Sequence, residues 1–348
     1  MKTKIWQITK ESEIQIYLEA AKMLQAGETV AFPTETVYGI GADATNEAAV
    51  AKIYEAKGRP SDNPLIVHIA DQAQVHSFVK EIPPNAKKLM KQFWPGPLTI
   101  ILPLQANRLA RNVTAGLDSV GVRMPEHPVA LGLLAVAGIP VAAPSANRSG
   151  KPSPTSGEHV EEDLNGRIAG IISAGKTGVG LESTVIDCTL EVPAILRPGG
   201  VSQAEIEAVI GPVISEVQPL EQKEAPKAPG MKYTHYAPKA PVVIIEGDAT
   251  FFQQQIDNAK ARGEEVGILV SDELSKDLDA STHKLALGSR EHLEEVAYQL
   301  YQQLRNFDHT SVTIIYAEAF AKEGIGTAIM NRLDKAAGGH YMRQSEED

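Results

Sequence analysis

Apolar and polar positions along the chain switch repeatedly between a helical period and a strand period. Over residues 12–26 the apolar side chains Ile16, Ala20, Met23 and Leu24 fall at helical spacing, which predicts a helix. A short strand follows at 29–32 and is ended by Pro33. Helices are then predicted over 48–56, 85–93 and 129–137, and strands over 65–69, 98–102, 120–123, 141–143 and 183–187. This mixture reads as one α/β domain of about 210 residues. The last third alternates again, with strands at 242–246, 266–270, 284–287 and 312–316 and helices at 250–261, 292–304 and 328–337. Four short strands alternating with helices predict a small open parallel sheet. No internal repeat or low-complexity tract interrupts either region.

Between them lies a boundary. Gly211-Pro212 closes the first region, and the polar stretch that follows carries Pro219, Pro226, Pro229, Pro238 and Pro241. Proline and charge at this density favour an extended linker. The expected organisation is a first domain over 1–212, a linker over 213–240 and a small α/β domain over 241–348.

Composition narrows the classes. The chain has 348 residues, 43% of them hydrophobic and 22% charged, which is ordinary for a globular protein. No apolar run reaches the ~18–20 residues that span a bilayer, and the first ten residues, MKTKIWQITK, lack a signal peptide's apolar core. The lone Cys188 allows no internal disulfide and reads as a small buried hydrophobe. A soluble cytoplasmic protein with no membrane partner is expected. The net charge of −11 is concentrated in the tail: residues 1–212 carry −3 and 213–348 carry −8. Neither part is the broad basic surface of a general nucleic-acid binder.

One motif matches in letters and fails in context. Residues 170–177, GIISAGKT, fit the phosphate-loop pattern, which requires a strand, a glycine turn and then a helix N-terminus facing the phosphates. Here Gly178 and Gly180 follow, and then the β-branched run 183–186. Each glycine costs a helix about 1 kcal/mol against alanine. A glycine-rich hairpin between two strands is the expected structure, and a phosphate-loop NTPase is a weak alternative.

Polar clusters beside strands and turns carry the candidate chemistry. They are residues 33–39 (PTETVYG), 57–60 (KGRP) leading through Asn63 to His68, 119–123 (SVGVR), 144–147 (PSAN) with Ser149 and Ser153, 182–185 (ESTV) and 196–200 (LRPGG). Lys57, Arg59, Arg123 and Arg197 are cations held by glycine and proline turns, suited to phosphate or carboxylate. Tyr38 reads equally as a packing residue or a site residue, and His68, in an apolar strand, as a core histidine or a ligand contact. No Ser-His-Asp arrangement and no H-E-x-x-H motif is legible. The theme is anion binding without a strong protein nucleophile, so the expected catalysis is positioning and charge stabilisation at a transferring phosphoryl group.

These segments together also carry a resemblance. PTETVYGIGADA (33–44), KGRPSDNPLIVHI (57–69), WPGPLT (94–99), GVRMPEHP (121–128), APSANRSG (143–150), ESTVID (182–187) and ILRPGG (195–200) resemble the YrdC-like domain, over about residues 10–210. GMKYTHYAPKAPV (230–242) and GIGTAIMNRLDKAAGG (324–339) are similar to the linker and C-terminal domain of the long form of the threonylcarbamoyl-AMP synthase family. The resemblance implies a YrdC-like mixed, open, twisted sheet with helices, plus a small Rossmann-like parallel α/β domain. It implies a nucleotidyltransferase that joins L-threonine, bicarbonate (or CO2) and ATP into L-threonylcarbamoyladenylate, releasing pyrophosphate. The product would pass to threonylcarbamoyl transferase proteins that build N6-threonylcarbamoyladenosine next to the tRNA anticodon. By the same resemblance Thr36, His68, Arg123 and Ser183 would surround threonine. Lys57, Arg59, Asn63, Ser119, Ser145, Asn147, Ser153 and Arg197 would line the nucleotide, with Lys57 and Arg59 in the catalytic role and Tyr236 reaching over from the linker as part of a lid. ATP implies Mg²⁺, to which no protein ligand is assigned. A weak local RNA contact, or an RNA-binding module, is the remaining alternative.

Overall fold

The computed structural model describes residues 2–215, 235–279 and 283–345. Most of the expected linker, at 216–234, lies outside the described residues. The chain divides into two compact units, one of Met1–Ser149 with Ser153–Lys232 and one of Gly150–Pro152 with Tyr233–Asp348. Each is described by itself.

The first unit is built on ten strands: β1 (Lys4–Gln7), β2 (Val30–Phe32), β3 (Gly39–Asp43), β4 (Ile66–His68), β5 (Leu98–Pro103), β6 (Ser119–Arg123), β7 (Val141–Ala142), β8 (Gly170–Ser173), β9 (Thr184–Asp187) and β10 (Ala194–Arg197). They form one mixed sheet in the order β1-β8-β2-β3-β7-β4-β6-β5-β9-β10. Its helices are α1 (Glu13–Gln25), α2 (Glu47–Lys57), α3 (Pro84–Phe93), α4 (Pro128–Ala137), α5 (Gly157–Leu164) and α6 (Gln203–Ile210).

Because side chains alternate across a strand, each strand feeds two layers. Ala31, Ala142, Ile171, Val67, Val120, Val122, Leu98, Ile100 and Ile186 enter the larger core together with residues of α2, α3, α5 and α6. Val30, Phe32, Val141 and Ile172 point the other way and pack with Ile16, Tyr17, Leu24, Leu133 and Leu134 of α1 and α4. That second layer covers only part of its face. Towards β4, β6, β5 and β9 the apolar content of the same face falls to a small cluster of Ile101 and Val185 with Leu196 packed on it. His68, Arg123, Thr99 and Ser183, all buried, take up the rest.

Local signals fix where the key residues fall. Asn46 caps α2 by accepting from the Ala49 amide at 3.1 Å, and Gly58 ends it in the left-handed region at φ 62°. Lys57 is therefore the last helical residue and the KGRP turn begins at once. The predicted hairpin after GIIS is corrected. β8 pairs with β1 and β2, whereas β9 pairs with β5 and β10, so residues 174–183 form a loop crossing between separate parts of the sheet. No helix follows Thr177, which removes the phosphate-loop geometry.

The second unit contains β11 (Val242–Glu246), β12 (Val266–Val270), β13 (His283–Ala286), β14 (Ile314–Glu318) and β15 (Tyr341–Arg343), with α7 (Ala249–Ala261), α8 (Asp272–Asp277), α9 (Leu293–Phe307) and α10 (Gly326–Ala337). All four strand pairings are parallel, in the order β13-β12-β14-β11-β15. The sheet thus has five strands where the sequence pattern predicts four. The missed strand, β15, is three residues long and pairs only with β11. Among the described residues no helix is long and apolar enough to cross a membrane.

One close approach tests this packing. A Cβ on Gly199 would stand 2.3 Å from the Thr184 amide nitrogen and 2.4 Å from the Glu182 carbonyl oxygen, both backbone atoms that cannot swing aside. Gly199→Ala is expected to destabilise the first unit by about 1–3 kcal/mol or more. The shift of the denaturant midpoint measures it, and an unchanged midpoint would contradict the packing.

Candidate active site

The polar face gathers residues from four strands. Parallel pairing of β4 with β6 sets His68 beside Arg123 at the carboxyl ends of their strands. Arg123 is 4% exposed and its guanidinium is bound on three sides. Its Nε donates to the Gly96 carbonyl at 3.3 Å, one terminal nitrogen donates to Thr36 Oγ1 at 2.9 Å, and the other lies 2.7 Å from a Glu35 carboxylate oxygen. Thr36 Oγ1 also shares a hydrogen bond with Thr34 Oγ1 at 2.9 Å. Ser183 precedes β9, and its hydroxyl meets Thr99 at 2.8 Å. Arg197, the last residue of β10, donates to the Ser183 carbonyl at 3.0 and 3.1 Å and to its hydroxyl at 3.2 Å. Arg197, placed by sequence among the nucleotide residues, is thus directly tied to a threonine-set residue.

The imidazole of His68 is fixed in one form. Burial first, and the neighbouring Arg123 charge second, push its pKa down to about 3, so it is neutral at ordinary pH. Its Nδ1 lies 3.2 Å from the Ile66 carbonyl, an acceptor only, so the neutral ring carries its proton there. Nε2 is left as an acceptor for an incoming hydroxyl. The ring stands edge-on to Phe32, 6.3 Å between centroids.

A second group assembles at the end of α2. The Lys57 ammonium, 2% exposed, donates to the carbonyls of Ser145 and Asn147 and, at 3.3 Å, to Asn147 Oδ1. The Ser145 hydroxyl donates to the same amide oxygen at 2.5 Å. Lys57 therefore organises the PSAN turn as well as charging it. Arg59 donates to the carbonyls of Asn63 and Pro64 at 3.4 and 3.2 Å. The Asn63 amide oxygen is buried without a hydrogen-bond partner among the described residues. Pairing of Ile66 with Gly121 places Ser119, at the start of β6, level with Pro64, and both line one small cavity with Thr99 and Val185. Ser153 donates to Glu182 at 2.5 Å.

Tyr236 lies in the second unit. Its ring stacks on Tyr301 at 5.2 Å, and the Arg332 guanidinium sits 5.6 Å from its centroid. Tyr38 is a structural tie: its phenol donates to the Gly175 carbonyl at 2.7 Å and accepts from the Ala174 amide at 3.1 Å, and burial raises its pKa to about 12. Cys188 is buried, with its thiol likewise pushed up to about 12, too high for a thiolate nucleophile.

Sequence reasoning gave no role to Glu35, Thr99, Gly96 or the 174–180 loop. Glu35 was visible inside PTET, between the two threonines. Gly96 and Thr99 lay within WPGPLT and the loop begins within GIISAGKT, but these residues act through position, which the motifs do not state.

Comparison with known proteins identifies relatives of both units. Residues 22–199 match a family model described as telomere recombination, and residues 201–338 match one described as the threonylcarbamoyl-AMP synthase C-terminal domain. The threonylcarbamoyl-AMP synthase of Bacillus subtilis is 53% identical over 347 residues, 99% of this chain and 100% of that protein. The one from Pyrococcus abyssi is 49% identical over 326 residues, 92% of this chain and 93% of that protein. A crystal structure of P. abyssi Sua5 complexed with L-threonine superposes with a TM-score of 0.92 at 45% identity, covering 99% of this chain and 100% of that one.

The buried imidazole has a measurable signature. An unfolded histidine titrates near 6.5 and this one near 3, so between those values the unfolded chain takes up the proton more readily than the folded one. The stability held by neutral His68 is complete above about pH 6.5 and is lost as pH falls towards 3. The melting temperature of a His68→Gln variant should fall less steeply than wild type's between pH 7 and 4, as followed by circular dichroism. Parallel slopes would contradict the assignment.

Proposed function

The chain belongs to the threonylcarbamoyl-AMP synthase family, and from that membership we propose how its own residues serve the reaction. The threonine ammonium gives up a proton to solvent, and the free amine condenses with bicarbonate to a carbamate and water. A carbamate oxygen then attacks the α-phosphorus of ATP, the bond to the bridging oxygen breaks, and pyrophosphate leaves. The substrates supply the nucleophile, so the protein's task is to hold two anions together and spread charge.

The observation that carries this reading is the pairing of buried Arg123 with neutral His68 at adjacent strand ends. A guanidinium takes a carboxylate, and an imidazole with a bare Nε2 takes a hydroxyl. Threonine has both. In this reading Arg123 receives the carboxylate, His68 the side-chain hydroxyl, and Thr36 and Ser183 complete the walls. Lys57, Arg59, Asn63, Ser119, Ser145, Asn147, Ser153 and Arg197 face the nucleotide. Lys57 and Arg59 provide positive charge near the transferring phosphoryl group, and the open acceptor on Asn63 suits an adenine amino group or a ribose hydroxyl.

Among the described residues no three His, Cys, Asp or Glu side chains are grouped to hold a metal ion. These residues do not form a magnesium cage. Any Mg²⁺ would come with the ATP phosphates.

Pyrophosphate release from ATP is expected to require both threonine and bicarbonate, and mass spectrometry should show threonylcarbamoyl-AMP. ADP plus phosphate, or release independent of threonine, would refute the reading. Arg123→Ala should raise the KM for threonine on the order of 10²-fold, the scale for truncating a buried hydrogen-bonded charge, and change the KM for ATP far less. The reverse pattern would overturn the carboxylate assignment.

A further inference from the structure

Glu35 is the carboxylate the reaction so far leaves unused. It lies 2.7 Å from Arg123, on the guanidinium nitrogen not engaged by Thr36. Yet the contact lacks hydrogen-bond geometry, and both carboxylate oxygens are buried with no hydrogen-bond donor among the described residues. A buried carboxylate has about four acceptor sites and is costly while they stay empty. A counter-ion meant only to neutralise Arg123 would align with its N–H groups, as bidentate pairs do. The other titratable group whose charge interaction with Glu35 registers is His127, itself buried enough that its pKa is lowered.

The backbone holds Glu35 in this position. Its carbonyl accepts from the Gly178 and Val179 amides at 3.0 and 2.7 Å, and the Thr36 carbonyl accepts from Gly180 at 3.2 Å. The loop that imitates a phosphate-binding motif in sequence is spent instead on fixing the acidic residue beside Arg123.

We propose that Glu35 accepts the α-ammonium of the amino-acid substrate, so that Glu35 and Arg123 together read a zwitterion. The inference rests on the threonine reading above. An α-amino acid carries its carboxylate and ammonium one carbon apart, and this site offers a guanidinium and an open carboxylate side by side. With His68 taking the hydroxyl, three groups of threonine are each met by a complementary partner. The role is recognition and placement: Glu35 holds the ammonium, and the proton that must leave before the amine is carboxylated goes to solvent, not to Glu35.

Calorimetric titration of the full chain with L-threonine, 3-hydroxybutyrate and ATP tests it. 3-Hydroxybutyrate keeps the carboxylate and hydroxyl and lacks the amine. Wild type should bind threonine at least about tenfold more tightly than 3-hydroxybutyrate. Glu35→Gln should lose about tenfold or more for threonine while 3-hydroxybutyrate and ATP stay within about threefold. Tighter or unchanged threonine binding would show a residue that competes for Arg123, and equal losses for both acids would show a mere prop; either overturns the proposal. If Glu35→Gln does not fold, Glu35→Asp replaces it, with a smaller loss expected for threonine alone. Equal affinity of wild type for the two acids overturns the proposal without any variant. Wild type that binds ATP but neither acid refutes the threonine reading itself, and Glu35's role with it.

Discussion

A guanidinium buried to 4% exposure has to be met by acceptors on every side, and Arg123 organises the first unit's site through that demand. The backbone before β5 answers it through Gly96 and the turn after β2 through Thr36, while the Glu35 carboxylate in that same turn supplies a counter-charge 2.7 Å away. The same charge helps keep His68 neutral. A single cation thus ties two segments together and adds to the burial that keeps a neighbouring imidazole neutral.

The sheet makes this affordable by giving its two faces different work. Over β4, β6, β5 and β9 one face belongs wholly to the large core. The stability gained there allows the opposite face to bury Thr99, His68, Arg123 and Ser183 in place of aliphatic side chains. Each lost aliphatic forgoes roughly 1.5–3 kcal/mol of burial, and the polar groups recover part of this only by bonding one another, as Thr99 does with Ser183 and Arg197 with Ser183.

Much of this was legible in the sequence. Helical spacing located α1, α2, α3 and α4, and apolar runs located β4, β5, β6 and β9, because these elements bury continuous apolar sets. β1, with an exposed-exposed-buried-exposed pattern, and β3, a strand of Gly, Ile, Gly, Ala and Asp, gave no such signal, since pairing rather than side chains makes them strands. β10, α5 and α6 were likewise unpredicted. For the candidate site, cations in glycine and proline turns and the ordered motifs named segments of which several meet on one face of the sheet. Convergence was not legible, because it depends on register: His68 meets Arg123 only through the parallel alignment of β4 and β6. Nor could spacing reveal that Lys57 spends its protons on the turn it was expected to leave free for phosphate.

The clamp of the 174–180 loop on the 35–38 turn has a consequence for assembly. Tyr38 and Gly175, whose hydrogen bond seals it, are 137 residues apart in the chain. Loop-closure entropy at that separation is repaid only when the intervening strands are already in place. No fragment that ends before the loop can hold Glu35 through these amides. The clamp can open only where these few bonds are lost, so mild stress would release Glu35 by local opening of the loop before any bulk measure of secondary structure changes.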